Sequence, residues 1–406
     1  MRLLQIGNMF PPHHLGGAEL IWHSAVQQAR SAGHRVRILT STHREEALDP
    51  TIAEDPEIAR TLRWYWRDHE FPRYSAAARL AIELHNRRIL AAALRDFNPD
   101  AVIHWSFGGM SLSLLEQVRR SGRPAVAVLL DDWLVYAPRV DGWQRGWRRF
   151  GRLAALAPGI GPARRVDLAG IARLVFMSAA LREHAVAAGL EVAGSPVRYR
   201  GVDPGLFEAR PPRPNWGGRL ICVGRVEARK GVEIAIAALG LLPETTSLQI
   251  LGPAQPAYRA ELDRLIASRR LGDRVEFSHC GRDRVGAAIA AADALLFPVQ
   301  WEEPWGLVPL EAMASGTPVI AAATGGGREY LRDGDNALVY ADKPSDRADP
   351  ARLAAAVRRL ADGPALRSAL HAGGLATVAR FDVADFNAAI LTEVEVEVAI
   401  TIAAQS

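Results

Sequence analysis

Residues 301–320 read Trp-Glu-Glu-Pro-Trp-Gly-Leu-Val-Pro-Leu-Glu-Ala-Met-Ala-Ser-Gly-Thr-Pro-Val-Ile. Pro304 and Gly306 punctuate a loop, residues 307–314 read as a helix, and Gly316 with Pro318 stops it before an apolar strand. Glu303 therefore sits on the loop ahead of the helix, and Glu311 about one turn inside it. The first N–H groups of a helix are unpaired and its dipole is positive there, so a start bearing Gly306, Leu307 and Val308 suits phosphate oxygens. Carboxylates repel phosphate, and their natural partners are hydroxyl donors. The stretch thus points to a ligand that carries both phosphates and sugar hydroxyls.

Working outward, the residues before it repeat a strand–helix rhythm. Strands are expected at 220–223, 247–251, 274–277 and 294–298, with helices between them, and a further strand at 319–322 follows. That alternation makes a doubly wound parallel sheet. The first strand runs into Gly224-Arg225-Val226-Glu227-Ala228-Arg229-Lys230-Gly231 and then a helix to Leu239. Arg225 and Lys230 flank that turn, where two cations and exposed N–H groups would neutralise a diphosphate. Lys230 and Lys343 are the only lysines in the chain, so a lysine at this place argues for a compact charge at a crowded phosphate. Residues 324–329 read as a glycine turn after the strand at 319–322, and helices over 349–380 complete the domain.

The amino-terminal half opens with a βαβ unit: a strand at 3–6, a loop carrying His13, His14, Gly16 and Gly17, a helix at 18–32 and a strand at 36–40. The Gly16-Gly17 pair leaves room for a ligand to approach the backbone. Two aromatic, charged segments at 64–67 and 71–74 precede a helical run over 75–97. Buried strands follow at 100–106, which contains His104, and at 125–130, which ends in Asp131-Asp132. Adjacent carboxylates at a strand end are acid/base or hydroxyl-binding candidates. Residues 142–153 combine Trp143, Trp147 and Phe150 with Arg145, Arg148, Arg149 and Arg152, a mixture suited to an anionic acceptor or a membrane surface. The boundaries expected are an amino-terminal domain at 1–203, a linker at 204–217, a carboxyl-terminal domain at 218–380 and a tail at 381–406. Alternating Glu and Val at 393–398 suit a strand better than a helix.

Glu303 and Glu311 within E-P-x-G-L-x-x-x-E-A-M-A-x-G-x-P-V-I, together with G-R-x-x-x-x-K-G at 224–231, resemble the retaining GT-B glycosyltransferases of family four, the group 1 glycosyl transferases. The resemblance implies two Rossmann-like domains facing a central cleft and transfer of a sugar from a nucleoside diphosphate sugar, whether UDP-, GDP- or dTDP-linked, to an acceptor hydroxyl. It implies that Arg225 and Lys230 hold the diphosphate, Glu311 the ribose and Glu303 the donor sugar, with no metal and no other cofactor. Gly16, Gly17, Gly224, Gly306, Leu307 and Val308 would complete the donor site; beside the resemblance, His13, His14, His104 and Asp132 are this chain's own acceptor-side candidates. Many members carry His-Asp where this chain has Asp131-Asp132, so Asp131 stands in the place of an imidazole. Arg200 likewise replaces the usual Asn of an N-G-V-D segment.

The remaining features bound the reading. At 406 residues with 49% hydrophobic and 23% charged residues, the chain has the length of two globular domains. No apolar run approaches a membrane span, the first residues do not read as a signal peptide, and two cysteines, Cys222 and Cys280, give no disulfide framework or cysteine metal site. A cytoplasmic protein, peripheral at a membrane if at all, is expected. Lys and Arg number 27 against 20 Asp and Glu over residues 1–206, and 22 against 25 over 207–406. The basic half suits an anionic acceptor; no recognition helix or stacking platform accompanies it, which excludes nucleic acid as the expected partner. The rival readings are a sugar-nucleotide epimerase or hydrolase, and a sugar-nucleotide-binding protein without turnover.

Overall fold

A computed structural model describes residues 1–45, 52–67, 70–147 and 162–405. The chain divides into two compact units: residues 1–198 with 387–406, and residues 199–386.

In the first unit β1 (Arg2–Gly7), α1 (Gly17–Ser31) and β2 (Arg35–Ser41) form the opening βαβ unit, and β3 (Ile58–Leu62) adds an edge strand. Then come α2 (Ala76–Phe97), β4 (Ala101–His104), α3 (Ser113–Arg120), β5 (Ala125–Leu129), α4 (Trp133–Val140), α5 (Gly142–Trp147), β6 (Arg173–Phe176) and α6 (Ala179–Ala187). The strands lie in the order β3-β2-β1-β4-β5-β6, all parallel. Their apolar runs are buried on both faces because helices cover both sides, as parallel sheets require.

The second unit repeats this plan. β7 (Arg219–Val223), α7 (Val232–Leu239), β8 (Ser247–Leu251), α8 (Pro256–Ser268), β9 (Val275–Ser278), α9 (Arg282–Ala291), β10 (Ala294–Phe297), α10 (Leu307–Ala314), β11 (Val319–Ala322), β12 (Leu338–Ala341), α11 (Pro350–Asp362) and α12 (Pro364–Val378) follow in turn. The order β12-β11-β10-β7-β8-β9 is the same winding, with the crossover between β7 and β10. Ligands bind outside the carboxyl ends of strands at such a reversal. Residues 204–217 lie on this unit: Phe207 is buried, and Arg213 donates to the carbonyls of Ala290 and Ala291 at 3.0 and 2.9 Å.

The tail corrects the strand expected from its alternating Glu and Val. It is α13 (Val383–Gln405). Val383, Phe386, Asn387, Ile390, Glu393 and Val394 are the buried positions, which is a helical period carried partly by polar residues. Glu393 faces inward because Arg173 and Arg198 hold its two oxygens. Charge at a buried position hid the period from a reading by hydrophobicity. Among the described residues no helix is long and apolar enough to cross a membrane.

The core of the first unit holds a carboxyl pair. Glu83 accepts from the Tyr65 hydroxyl at 2.7 Å and from the Ser113 hydroxyl, while Asp141 accepts the N–H groups of Leu112, Trp143 and Gln144 at 2.7–2.8 Å. Burial raises Glu83, and burial with the neighbouring Glu83 pushes Asp141 up to about 8. Carboxyls raised in the folded state favour folding most below their unfolded values near 4, and that contribution is lost as pH climbs toward 8. The Tm of the native protein should therefore fall from pH 5 to 8.5 by about 5 °C more than that of Glu83→Gln. Scanning calorimetry across that range checks this; parallel curves would dismiss the pair as a titrating element.

Candidate active site

The carboxyl ends of β7 and β10, the two strands at the crossover of the second unit, carry the residues singled out in the sequence. After β7, Gly224 takes φ +126°, and a Cβ there would meet open space. Gly252, at the end of β8, must be glycine because a Cβ would lie 2.1 Å from the Gly224 carbonyl. The chain then turns through residues 228–230 to Gly231, at φ +69°, where a Cβ would come within 1.9 Å of the Pro298 carbonyl. The turn bearing Lys230 is thereby pressed onto the end of β10.

Across that contact Lys230 Nζ donates to Glu303 Oε2 at 2.7 Å, and the Trp301 indole N–H donates to the same oxygen at 2.7 Å. Arg229 stacks over the Trp301 ring, 4.2 Å from its centre. Arg225 stays close to Glu227, at 3.6 Å, and its side chain is about one-third exposed at 36%. Gly224, Arg225 and Lys230 line one cavity with Val223, Pro298 and Val299. A second cavity, at the amino ends of β10 and β11, is lined by Arg213, Asp293 and Arg367 among others. Two of its guanidinium groups are spent on backbone carbonyls, Arg213 on those of Ala290 and Ala291 and Arg367 on those of Leu360, Ala361 and Pro214.

Gly306 is the residue before α10, at φ +84°, and no side chain caps that helix. The first N–H groups, those of Leu307 and Val308, have no partner within the helix. The Gly306 carbonyl accepts from the Tyr330 hydroxyl at 2.5 Å. Tyr330 is buried, and burial followed by the charges of Glu303 and Glu311 drives its phenol well above the ordinary range. Both carboxylates thus act on one side chain. Trp305 anchors the loop: it is buried, donates to the Arg200 carbonyl at 2.7 Å and stacks on Tyr199 at 4.9 Å. Glu311 is 3% exposed, with one oxygen held by Arg282 and the other buried without a hydrogen bond.

Three supports of this site were missed in the sequence. Arg282 sits at the start of α9 in a run of charged residues that reads as solvated. The sequence marks Gly325-Gly326-Gly327 only as a turn, yet Gly325 and Gly326 lie against the backbone of Glu303 and Pro304. Tyr330 carries no motif of its own.

In the first unit the candidates divide. Gly16 precedes α1, but its N–H is taken by the Glu19 carboxylate at 3.0 Å, a capping arrangement that the Gly-Gly-Ala-Glu string itself spells. A side chain at Gly17 would meet nothing within 4 Å. His13 is buried, with Arg44 at 2.8 Å and the Glu45 N–H at 3.0 Å on its two ring nitrogens; His14 lies 3.2 Å from the Pro12 carbonyl. His104 corrects the acceptor-side expectation. It is fully buried in β4 against Phe107, and burial pushes it down to about 3, so it is a neutral core residue. Asp131 accepts from the Trp133 N–H and the Tyr136 hydroxyl at 3.3 and 3.1 Å, which ties it to the start of α4. Asp132, its side chain about one-third exposed at 36%, has His184 Nε2 at 3.8 Å. Of the basic aromatic stretch, Trp143 donates to the Ala163 carbonyl and Arg145 is exposed; Arg148, Arg149, Phe150, Arg152 and Leu153 lie outside the described residues.

Known proteins resemble the chain in sequence and in fold. Residues 210–374 match the family described as "Glycosyl transferases group 1". The chain is 27% identical over 386 residues to glycogen synthase from Mycobacterium tuberculosis, covering 90% of this chain and 87% of that protein. It is 35% identical over 209 residues to D-inositol 3-phosphate glycosyltransferase from Acidothermus cellulolyticus, covering 46% of this chain and 45% of that one. In fold it is similar to Anabaena Alr3699/HepE, solved in complex with UDP-glucose, with a TM-score of 0.70 at 20% identity over 97% of this chain and 99% of that one. The two-sheet architecture is the GT-B fold.

Proposed function

The chain is a group 1 glycosyltransferase, and on that premise we propose that it moves a sugar from a nucleoside diphosphate sugar to an acceptor hydroxyl with retention at the anomeric carbon. The observation that carries the reading is the Lys230–Glu303 pair, 2.7 Å apart across the strand crossover and beside the uncapped start of α10. An ammonium has three N–H donors, and one is given to Glu303; the others are suited to the diphosphate. Arg225 shares that load. Glu303 accepts from hydroxyls of the donor sugar, Glu311 from those of the ribose, and the N–H groups of Leu307 and Val308 meet the distal phosphate.

In the transfer, the bond between the anomeric carbon and the diphosphate oxygen breaks, and its electron pair leaves on the diphosphate. Lys230, Arg225 and the helix start stabilise the charge that develops there. The acceptor oxygen bonds to the same face of the sugar, and its proton passes to the departing phosphate. No side chain serves as covalent nucleophile. Asp132, partly exposed and with His184 nearby, is the carboxylate for the acceptor, and Asp131 is held for a supporting part by Tyr136 and Trp133. The acceptor is a glycan, a lipid-linked sugar or a small hydroxylated molecule; the arginine-rich first unit favours one with anionic groups or one presented at a membrane surface.

The test is a thermal-shift screen of UDP-, GDP- and dTDP-sugars, followed by mass spectrometry of acceptors with the donor that raises Tm. UDP-glucose is the first to try, since the Anabaena protein was solved with it. Glu311→Ala is expected to weaken binding of the matching nucleoside diphosphate about 10- to 100-fold by calorimetry, the cost of a hydrogen bond to a charged group. Unchanged affinity removes Glu311 from the ribose. Nucleotide release without an added acceptor would point instead to hydrolysis, and an inverted anomeric signal in the product would overturn retention.

A further inference from the structure

Glu311 lies in an unusual balance of charge. Its carboxylate is buried on α10, one oxygen is held by an N–H of Arg282, and the other oxygen is buried with no hydrogen-bond partner. A buried carboxylate oxygen left bare is costly, and the cost is tolerated where a ligand supplies the donor. Arg282 is the first residue of α9, and its guanidinium packs over the Phe207 ring at 5.2 Å. The same guanidinium interacts with the charges of Asp203 and of Arg200, which is itself buried, has an unpaired Nε and interacts with Glu311. Arg282 is therefore fixed on one side by an aromatic face and on the other by the carboxylate.

We propose that Arg282 is a positioning residue of the nucleotide subsite: it occupies one oxygen of Glu311 and locks the carboxylate so that the bare oxygen accepts a ribose hydroxyl. The assignment rests on Glu311 as the ribose ligand and adds what holds it. Two properties follow from the geometry. Without Arg282, Glu311 is a buried carboxylate with no hydrogen bond to either oxygen, free to change rotamer, and it stops being a directed acceptor. Arginine fits better than lysine, because its planar donors reach past Phe207 with fixed direction while an ammonium does not stack.

The experiment uses the full chain and calorimetric titration with UDP and GDP, each beside its 2′,3′-dideoxy form. In the native protein the better-bound ribonucleotide should exceed its dideoxy form by at least about tenfold. Arg282→Ala should lower affinity for the ribonucleotide about tenfold or more and leave the dideoxy form within about twofold, so that the preference collapses; Arg282→Lys should restore part of it. If Arg282→Ala weakens both forms equally, or neither, the positioning role is overturned. Should the alanine variant not fold, Arg282→Lys and Arg282→Gln carry the same comparison, judged by the same ratio. Glu311→Gln separates the two levels. If it keeps the native preference, or if neither nucleotide binds the native protein, the ribose reading fails and the inference falls with it. If Glu311→Gln loses the preference while the Arg282 variants keep it, only the inference fails.

Discussion

Lys230→Ala is expected to lower kcat by about 10²- to 10³-fold or more while the protein stays folded. The size follows from what the ammonium does: a fixed charge aimed at a departing diphosphate acts only as the bond breaks, and removal of one such group costs that much. The stability cost is small by contrast. Lys230 and Glu303 are 22% and 14% exposed, and a partly exposed ion pair contributes about 1 kcal/mol or less once screening is counted, so Tm should move by only a few degrees. Glu303 would lose its cation but keep the Trp301 indole N–H, which limits the damage on the sugar side. Lys230→Arg should not rescue turnover. The turn is pressed against Pro298 through Gly231 and the space beside it is filled by Trp301 and Arg229, so a longer, planar side chain cannot place its charge at the same point. Turnover measured with the stabilising donor and its acceptor checks this, with circular dichroism as the folding control. Near-native turnover in a folded Lys230→Ala would remove the lysine from the phosphate site.

The second half of the chain was the more legible, for a physical reason. Its strands are short apolar runs bounded by glycine or proline, and its functional groups sit on turns where residue type is dictated by backbone geometry: Gly224, Gly231 and Gly306 all take positive φ. Composition and conformation agree there, so motif and fold speak together. The parts that stayed hidden are those in which a polar side chain does what a hydrophobic one usually does. Glu393 sits inward between two arginines and disguises a helix; Arg282 looks solvated but is tied to Glu311; β3 is an edge strand in which Leu62 is the one fully buried residue. His104 misled in the opposite sense. A histidine near a strand end invites a catalytic reading, and only its surroundings reveal a neutral ring packed against Phe107.

Gly325→Ala carries the other large effect, and it tests how Glu303 is held. Gly325 has φ +47°, and its Cβ would lie 2.2 Å from the Glu303 carbonyl, closer than any real contact; Gly326→Ala would bring a Cβ to 2.3 Å from the Pro304 carbonyl. Both positions also bond the acidic loop, since Gly325 N–H donates to Glu302 at 2.7 Å and Gly326 N–H to the Glu303 carbonyl at 2.9 Å. Backbone has no flexible end to swing aside, so relief requires the Glu303–Pro304 segment to move by about 1 Å, and a displacement of that size at a substrate-positioning group costs about 10²-fold in rate. Stability should fall as well, by about 1–3 kcal/mol, for overpacking and a left-handed alanine. Gly327→Ala is the matched control. Its Cβ would meet only Leu331 Cδ1 at 3.4 Å, an ordinary contact, so turnover should remain within about twofold. Equal activity in the Gly325 and Gly327 variants would show that the glycine turn does not set the position of Glu303, and the sugar-binding part given to that carboxylate would then lack its structural support.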